Sequence, residues 1–62
     1  MRNPDRLDNF YDELCKIHKK YVPDWRFGQM MINIFGSEDI FYLEEDEVIE
    51  RINRYFGGRV NE

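Results

Sequence analysis

Cysteine, net positive charge and long apolar runs are all lacking or scarce in this chain, and each shortage removes a class of protein. Cys15 is the single cysteine. An internal disulfide framework is therefore excluded, and the composition fits a reducing cytosol better than an oxidising compartment. The single histidine, His18, lies three residues from Cys15 with no second such pair, so no zinc-type ligand spacing exists and no metal or cofactor is expected. No apolar run approaches the roughly 18 residues of a membrane helix, and none of signal-peptide length follows the N-terminus. A soluble, cytoplasmic protein without a membrane partner is expected. The formal net charge of −4 disfavours direct nucleic-acid binding, because phosphate contacts need a basic surface. There is no internal repeat and no low-complexity linker.

Aromatic residues, by contrast, are abundant. Ten aromatics and three methionines are distributed over 62 residues. A chain this short buries only about 60% of its unfolded surface, so a lone core is marginal and small domains add disulfides, metals or oligomerisation. With the first two set aside, oligomerisation remains, and the surplus of ring and thioether surface favours it. A two-fold homodimer is expected, that being the commonest closed symmetry.

The apolar periodicity is helical. Asn3 and Pro4 read as cap and first helical position, and Asp5 and Asp8 suit the positive end of the helix dipole. Leu7, Phe10, Tyr11, Leu14, Ile17, His18 and Tyr21 then recur at three- and four-residue steps, predicting a helix over about 4–21. Lys16, Lys19 and Lys20 gather near its end, where cations compensate the dipole. Pro23 ends that helix, and Asp24 is placed to cap a second over about 24–35, packed beside the first because the turn between them is short. Phe27, Met30, Met31, Ile34 and Phe35 form its apolar stripe. Gly36 stands where a left-handed C-terminal residue is wanted. Gly28, inside the helix, reads either as a tolerated weakness or as the close approach of another backbone. Trp25, Arg26 and Gln29 lie off the stripe. Arg26 is available to an acidic group and Trp25 to a neighbouring helix.

Ile40 to Leu43 is an apolar run too short to show a period. It is expected to be an extended or single-turn segment that lays Phe41 and Ile40 on the core. Leu43 and Val48 can staple the entry to a third helix over about 44–56, with Glu44 an indifferent cap and Glu45, Asp46 and Glu47 in its first turn. Val48, Ile49, Ile52, Tyr55 and Phe56 carry its stripe. Gly57 and Gly58 are expected to end it, leaving a frayed tail over 57–62. The fold class is thus all-α: one compact three-helix domain over 1–62 with a short irregular apolar segment before the last helix, forming a homodimer. Packing or dimer contacts are assigned to Trp25, Arg26, Phe27, Gly28, Met30, Met31, Ile34, Phe35, Phe41 and Tyr42.

Charge is unevenly spread. Residues 1–34 carry six Lys/Arg and five Asp/Glu, whereas residues 35–62 carry three and eight. Glu38, Asp39, Glu44, Glu45, Asp46, Glu47 and Glu50 hold most of the excess. Three readings are open for them: a solvated helix start with favourable dipole interaction, a docking face for a basic groove on another protein, or a divalent-metal site. The last lacks the alternating ligands and turn glycine of a calcium loop. The first six are the candidate partner-binding residues, since a positive groove would relieve their mutual repulsion and speed encounter. Cys15 and His18, at i and i+3, can touch. No orienting third group or oxyanion donor accompanies them, and a chain of this length leaves little room for a deep pocket, so no catalytic residue is assigned.

The pattern Pro23-Asp24, Arg26, Gly28-Gln29, then Phe41-Tyr42 and Glu44-Glu45-Asp46-Glu47, resembles a family of very short proteins from bacteria and their phages. That family runs roughly Pro-Asp-x-Arg-x-Gly-Gln, an apolar run, a variable turn and Phe-Tyr-x-Glu-Asp-Asp-Glu. Glu45 stands where its first Asp is usual. The likeness covers about residues 22–48 and weakens through the first helix. In size and in its acidic, aromatic-rich character the chain is also similar to phage inhibitors of bacterial defence, including the small homodimeric type that counters the Hachiman helicase–nuclease system. The resemblance implies a non-enzymatic inhibitor in the host bacterial cytoplasm that binds a defence protein through a basic groove. A host regulatory or accessory module with another partner is the alternative.

Overall fold

A computed structural model describes residues 2–60. It is all-α, with α1 at Arg6–Tyr21, α2 at Phe27–Phe35 and α3 at Glu45–Val60, and no strand among the described residues. α3 is the central element. Both other helices pack on it, and α1 and α2 share no comparable face. The expected pairing of α1 with α2 is therefore replaced by two separate contacts with α3. The Val22–Arg26 linker joins the two helices without setting them face to face.

That linker also moves the start of α2. Asp24 does not cap it. The Trp25 N–H donates to the Val22 carbonyl at 3.0 Å, closing a turn over Pro23 and Asp24. His18 Nε2 lies 2.8 Å from the Trp25 carbonyl oxygen. A carbonyl only accepts, so Nε2 carries the proton. The linker is thus tied back to the last turn of α1, and α2 opens three residues later than expected. Its cap position is Arg26, whose N–H donates to Gln29 Oε1 at 3.3 Å.

At the other end of α2 the Gly36 N–H donates to the Ile32 carbonyl at 2.7 Å. Gly36 takes φ 62° and ψ −130°. This is the first central residue of a II′-type turn, not the left-handed helical cap expected, and the conformation belongs almost wholly to glycine. The first turn of α1 likewise begins late. Asn3 Oδ1 accepts the Asp5 N–H at 2.9 Å, and regular helix starts at Arg6. α3 begins as expected after Glu44, whose carbonyl accepts from Val48 at 3.0 Å and whose N–H donates to Glu47 Oε1 at 2.8 Å. It does not stop at the glycine pair. Gly57 lacks the positive φ that a glycine stop requires, and the helix runs to Val60. The tail expected over 57–62 is helical to residue 60, and residues 61–62 lie outside the described part.

The core is a single cluster. Leu14 and Ile17 come from α1, Met30 and Phe35 from α2, Ile52 and Phe56 from α3, with Met30 and Ile52 fully buried. Tyr21 stacks on Phe56 with ring centroids 4.7 Å apart, joining the end of α1 to the end of the core. Leu43 and Val48 both pack against the cluster, as a staple at the entry to α3 requires.

Candidate functional site

Three surfaces concentrate the residues singled out by the sequence. The first is the acidic start of α3. Its carboxylates are largely engaged within the chain, chiefly by arginines distant in sequence. Arg2 reaches Glu44 at 2.6 Å and Arg6 reaches Glu45 at 2.9 Å. Arg51 grips Glu38 with both terminal nitrogens and lies over the Phe35 ring, 5.5 Å from its centroid. Hydrogen bonding from Arg51 holds the Glu38 carboxyl below the ordinary carboxylate range, and that from Arg6 does the same for Glu45. Asp39 Oδ1 accepts the Phe41 N–H at 3.0 Å, and Asp46 Oδ1 accepts the Glu47 N–H at 2.9 Å. The six candidate residues are therefore not a uniform bare patch. Among the described residues, no three His, Cys, Asp or Glu groups converge as a metal ion would need.

Beside this helix start, between α1 and α3, runs an open cleft of about 590 Å³. Arg6, Asn9, Phe10 and Glu13 line it from α1 at helical spacing, and Asp46 and Ile49 face them from α3. No local pattern of residues announces this cleft, because α1 and α3 meet only through tertiary packing.

The second surface is the turn between α2 and α3. Ile40 and Leu43 turn inward, and the Leu43 N–H donates to the Ile40 carbonyl at 3.2 Å. Phe41 and Tyr42 at the tip are 79% and 82% exposed. Their rings meet edge-to-face at 4.8 Å. Phe41 thus lies away from the core, contrary to the expectation from the sequence. A tight turn can point only its two ends inward, and the two central side chains are driven out.

The third surface is the outer side of α2. Ile32 is 65% exposed and Phe27 56%, with Gly28 on the same exposed side as Ile32. Among the described residues, and apart from its chain neighbours and its own helix backbone, nothing lies within 4 Å of where a Gly28 Cβ would stand, so no close approach of another element of the chain explains the glycine. Of the other expected packing residues, Met30 and Phe35 are buried, Trp25, Met31 and Ile34 are half-buried against the core, and Arg26 is exposed.

Cys15 is exposed on α1, while the Nε2 of His18 is directed to the Trp25 carbonyl. Among the described residues, no helix is long and apolar enough to cross a membrane. No protein-family model, curated protein or solved structure matches the chain.

Proposed function

We propose that the protein is a non-enzymatic binder that acts by docking on another protein and blocking it. The Phe41–Tyr42 pair carries this reading. Two aromatic rings held against each other on a short turn, with most of their surface in water, lose apolar hydration at little cost in side-chain order when a partner covers them. Aromatic anchors of this kind dominate the energetics of protein interfaces. The flanking carboxylates of Glu38 and Asp39 on one side and Glu44, Glu45, Asp46 and Glu47 on the other favour a partner with a basic groove. The resemblance supplies the class of target: a bacterial anti-phage defence complex, specifically the Hachiman helicase–nuclease, met in the cytoplasm of a host bacterium.

Self-association belongs to the same proposal. Both thioethers within the described residues are at least half sheltered, yet Tyr11, Phe27, Ile32, Phe41 and Tyr42 stay exposed in the single copy. A homodimer that covers the Phe27–Ile32 side of α2 would leave the aromatic turn available for the foreign partner.

The test is a plaque assay in cells carrying the Hachiman system, with the gene absent, present, or present as the Phe41→Ala/Tyr42→Ala double variant. Rescue of phage growth by the wild type and its loss in the variant is the expected result. No rescue by the wild type removes that target, and full rescue by the variant removes the aromatic turn as the docking element. Light scattering across a dilution series tests the dimer, and a monomer at high micromolar concentration overturns it.

A further inference from the structure

We infer that the cleft between α1 and α3 receives an arginine side chain of the basic partner; this rests on the docking reading above and assigns it a specific pocket. The cleft combines two properties that a solvated helix start lacks. Phe10 and Ile49, both half-buried against the core, give it an apolar lining from opposite helices. Its volume of about 590 Å³ falls within the range of about 300–1,000 Å³ typical of ligand pockets, so it has room for a side chain together with the backbone that carries it.

Its charge is also unbalanced in a defined place. Of the carboxylates along the cleft, Glu44 and Glu45 are neutralised by Arg2 and Arg6. Glu13 on the α1 wall has no hydrogen-bond or ion-pair partner among the described residues. Asp46 on the α3 wall uses Oδ1 for the Glu47 N–H and has no cationic partner. Two uncompensated carboxylates therefore line a partly apolar trough from its two sides. The occupant that matches is a flat, weakly hydrated cation on an apolar stem. Arginine meets both requirements, since its guanidinium stacks on aromatic faces and presents several donors to carboxylates at once. A compact, strongly hydrated ammonium uses the apolar lining less well.

The experiment is a titration of the isotope-labelled protein, followed by amide and side-chain NMR shifts, with a short acetylated and amidated peptide carrying one central arginine. The same peptide with citrulline, a neutral isostere, is the comparison. Saturable shifts confined to Asn9, Phe10, Glu13, Asp46 and Ile49 with the arginine peptide, and absent with citrulline, are expected. Glu13→Gln should weaken binding about three- to fivefold, the scale of one partly exposed ion pair, while Glu50→Gln, outside the cleft, should not. Shifts spread evenly over the acidic residues, equal effects of Glu13→Gln and Glu50→Gln, or no saturable shift at all would each overturn the inference. Cleft signals that move with protein concentration alone would assign the cleft to a second copy and overturn it as well. A failed titration beside phage rescue that depends on Phe41 and Tyr42 rejects the cleft and keeps the docking reading; a successful titration without rescue does the reverse.

Discussion

Shaving the side chain of Ile52 tests the fold most directly, because Ile52 sits on the helix that holds the other two. It is fully buried. Ile52→Ala removes three carbons, worth about 0.8 kcal/mol each in transfer alone, or roughly 2.4 kcal/mol. The cavity left behind raises the loss into the range of about 2–5 kcal/mol seen for such truncations. At about 0.05–0.15 kcal/mol per residue, a domain of this length has roughly 3–9 kcal/mol in total. The alanine variant should therefore lose much or all of its folded population at room temperature. Ile52→Val is the quantitative version: one methyl group, about 1 kcal/mol, and a fall in Tm of about 4–8 °C.

The control is Ile32→Val on the outer side of α2, where the side chain is 65% exposed in the single copy and the expected change, read at a dilution that leaves single copies, is within about 0.5 kcal/mol. Both are read by far-UV circular dichroism in urea and on heating. Indistinguishable midpoints for the two valine variants would refute the placement of Ile52 at the centre. Running the series at two protein concentrations separates the core from the dimer, since only linkage to association makes Tm depend on concentration.

Acid should weaken the fold through Glu38 and Glu45. Their folded pKa values lie below the ordinary 4.5, so their contribution is present above that value and is lost as pH falls through the folded values. The Glu38→Gln/Glu45→Gln variant should show a shallower drop in Tm below pH 4.5 and an unchanged slope between pH 5 and 7; an equal acid slope in both proteins would count against these pairs. His18→Ala should cost about 1 kcal/mol through the lost bond to the Trp25 carbonyl, and His18→Gln should recover part of it in urea titrations. Equal losses would mean that the ring, not its N–H, matters. Gly28→Ala should stabilise the monomer by about 0.5–1 kcal/mol, as the new methyl meets nothing. A lower Tm or weaker self-association at high protein concentration would instead show a second backbone against Gly28.

The helices themselves were legible because the apolar positions of α1 and α3 repeat at helical period over many turns, and because Leu43 and Val48 lie in the register that a stapled helix start demands. What escaped the sequence was whatever depends on partners far along the chain. Arg2 and Glu44 are 42 positions apart, Arg6 and Glu45 39. No local spacing shows that the acidic string is answered by the N-terminus. Asp24 carried a good capping signal, but the Val22–Trp25 turn fixed by His18 competed with it and delayed α2. Gly57 carried a stop signal, yet glycine only permits a stop. The run Ile40–Leu43 had no period at all, so nothing in it distinguished the inward ends from the exposed Phe41 and Tyr42.

The pairing of the acidic string with Arg2 and Arg6 also limits what electrostatics can contribute to docking. A basic partner that takes Glu44 or Glu45 must displace an arginine already there, exchanging one partly exposed ion pair for another with little net gain. Removing Arg2 should therefore help a basic partner. The Arg2–Glu44 pair is well exposed, with side chains 63% and 46% accessible, so its loss should hardly move Tm. It leaves one more negative charge at the start of α3, and the association rate of an oligoarginine peptide, followed by stopped-flow anisotropy of a fluorophore on the peptide, should rise at low salt and converge with the wild type as salt is added. An unchanged rate at low salt would mean that Arg2 does not mask Glu44 in solution. In that case the full string of carboxylates, and not the aromatic turn with its adjacent cleft, would be the surface that a basic groove meets first.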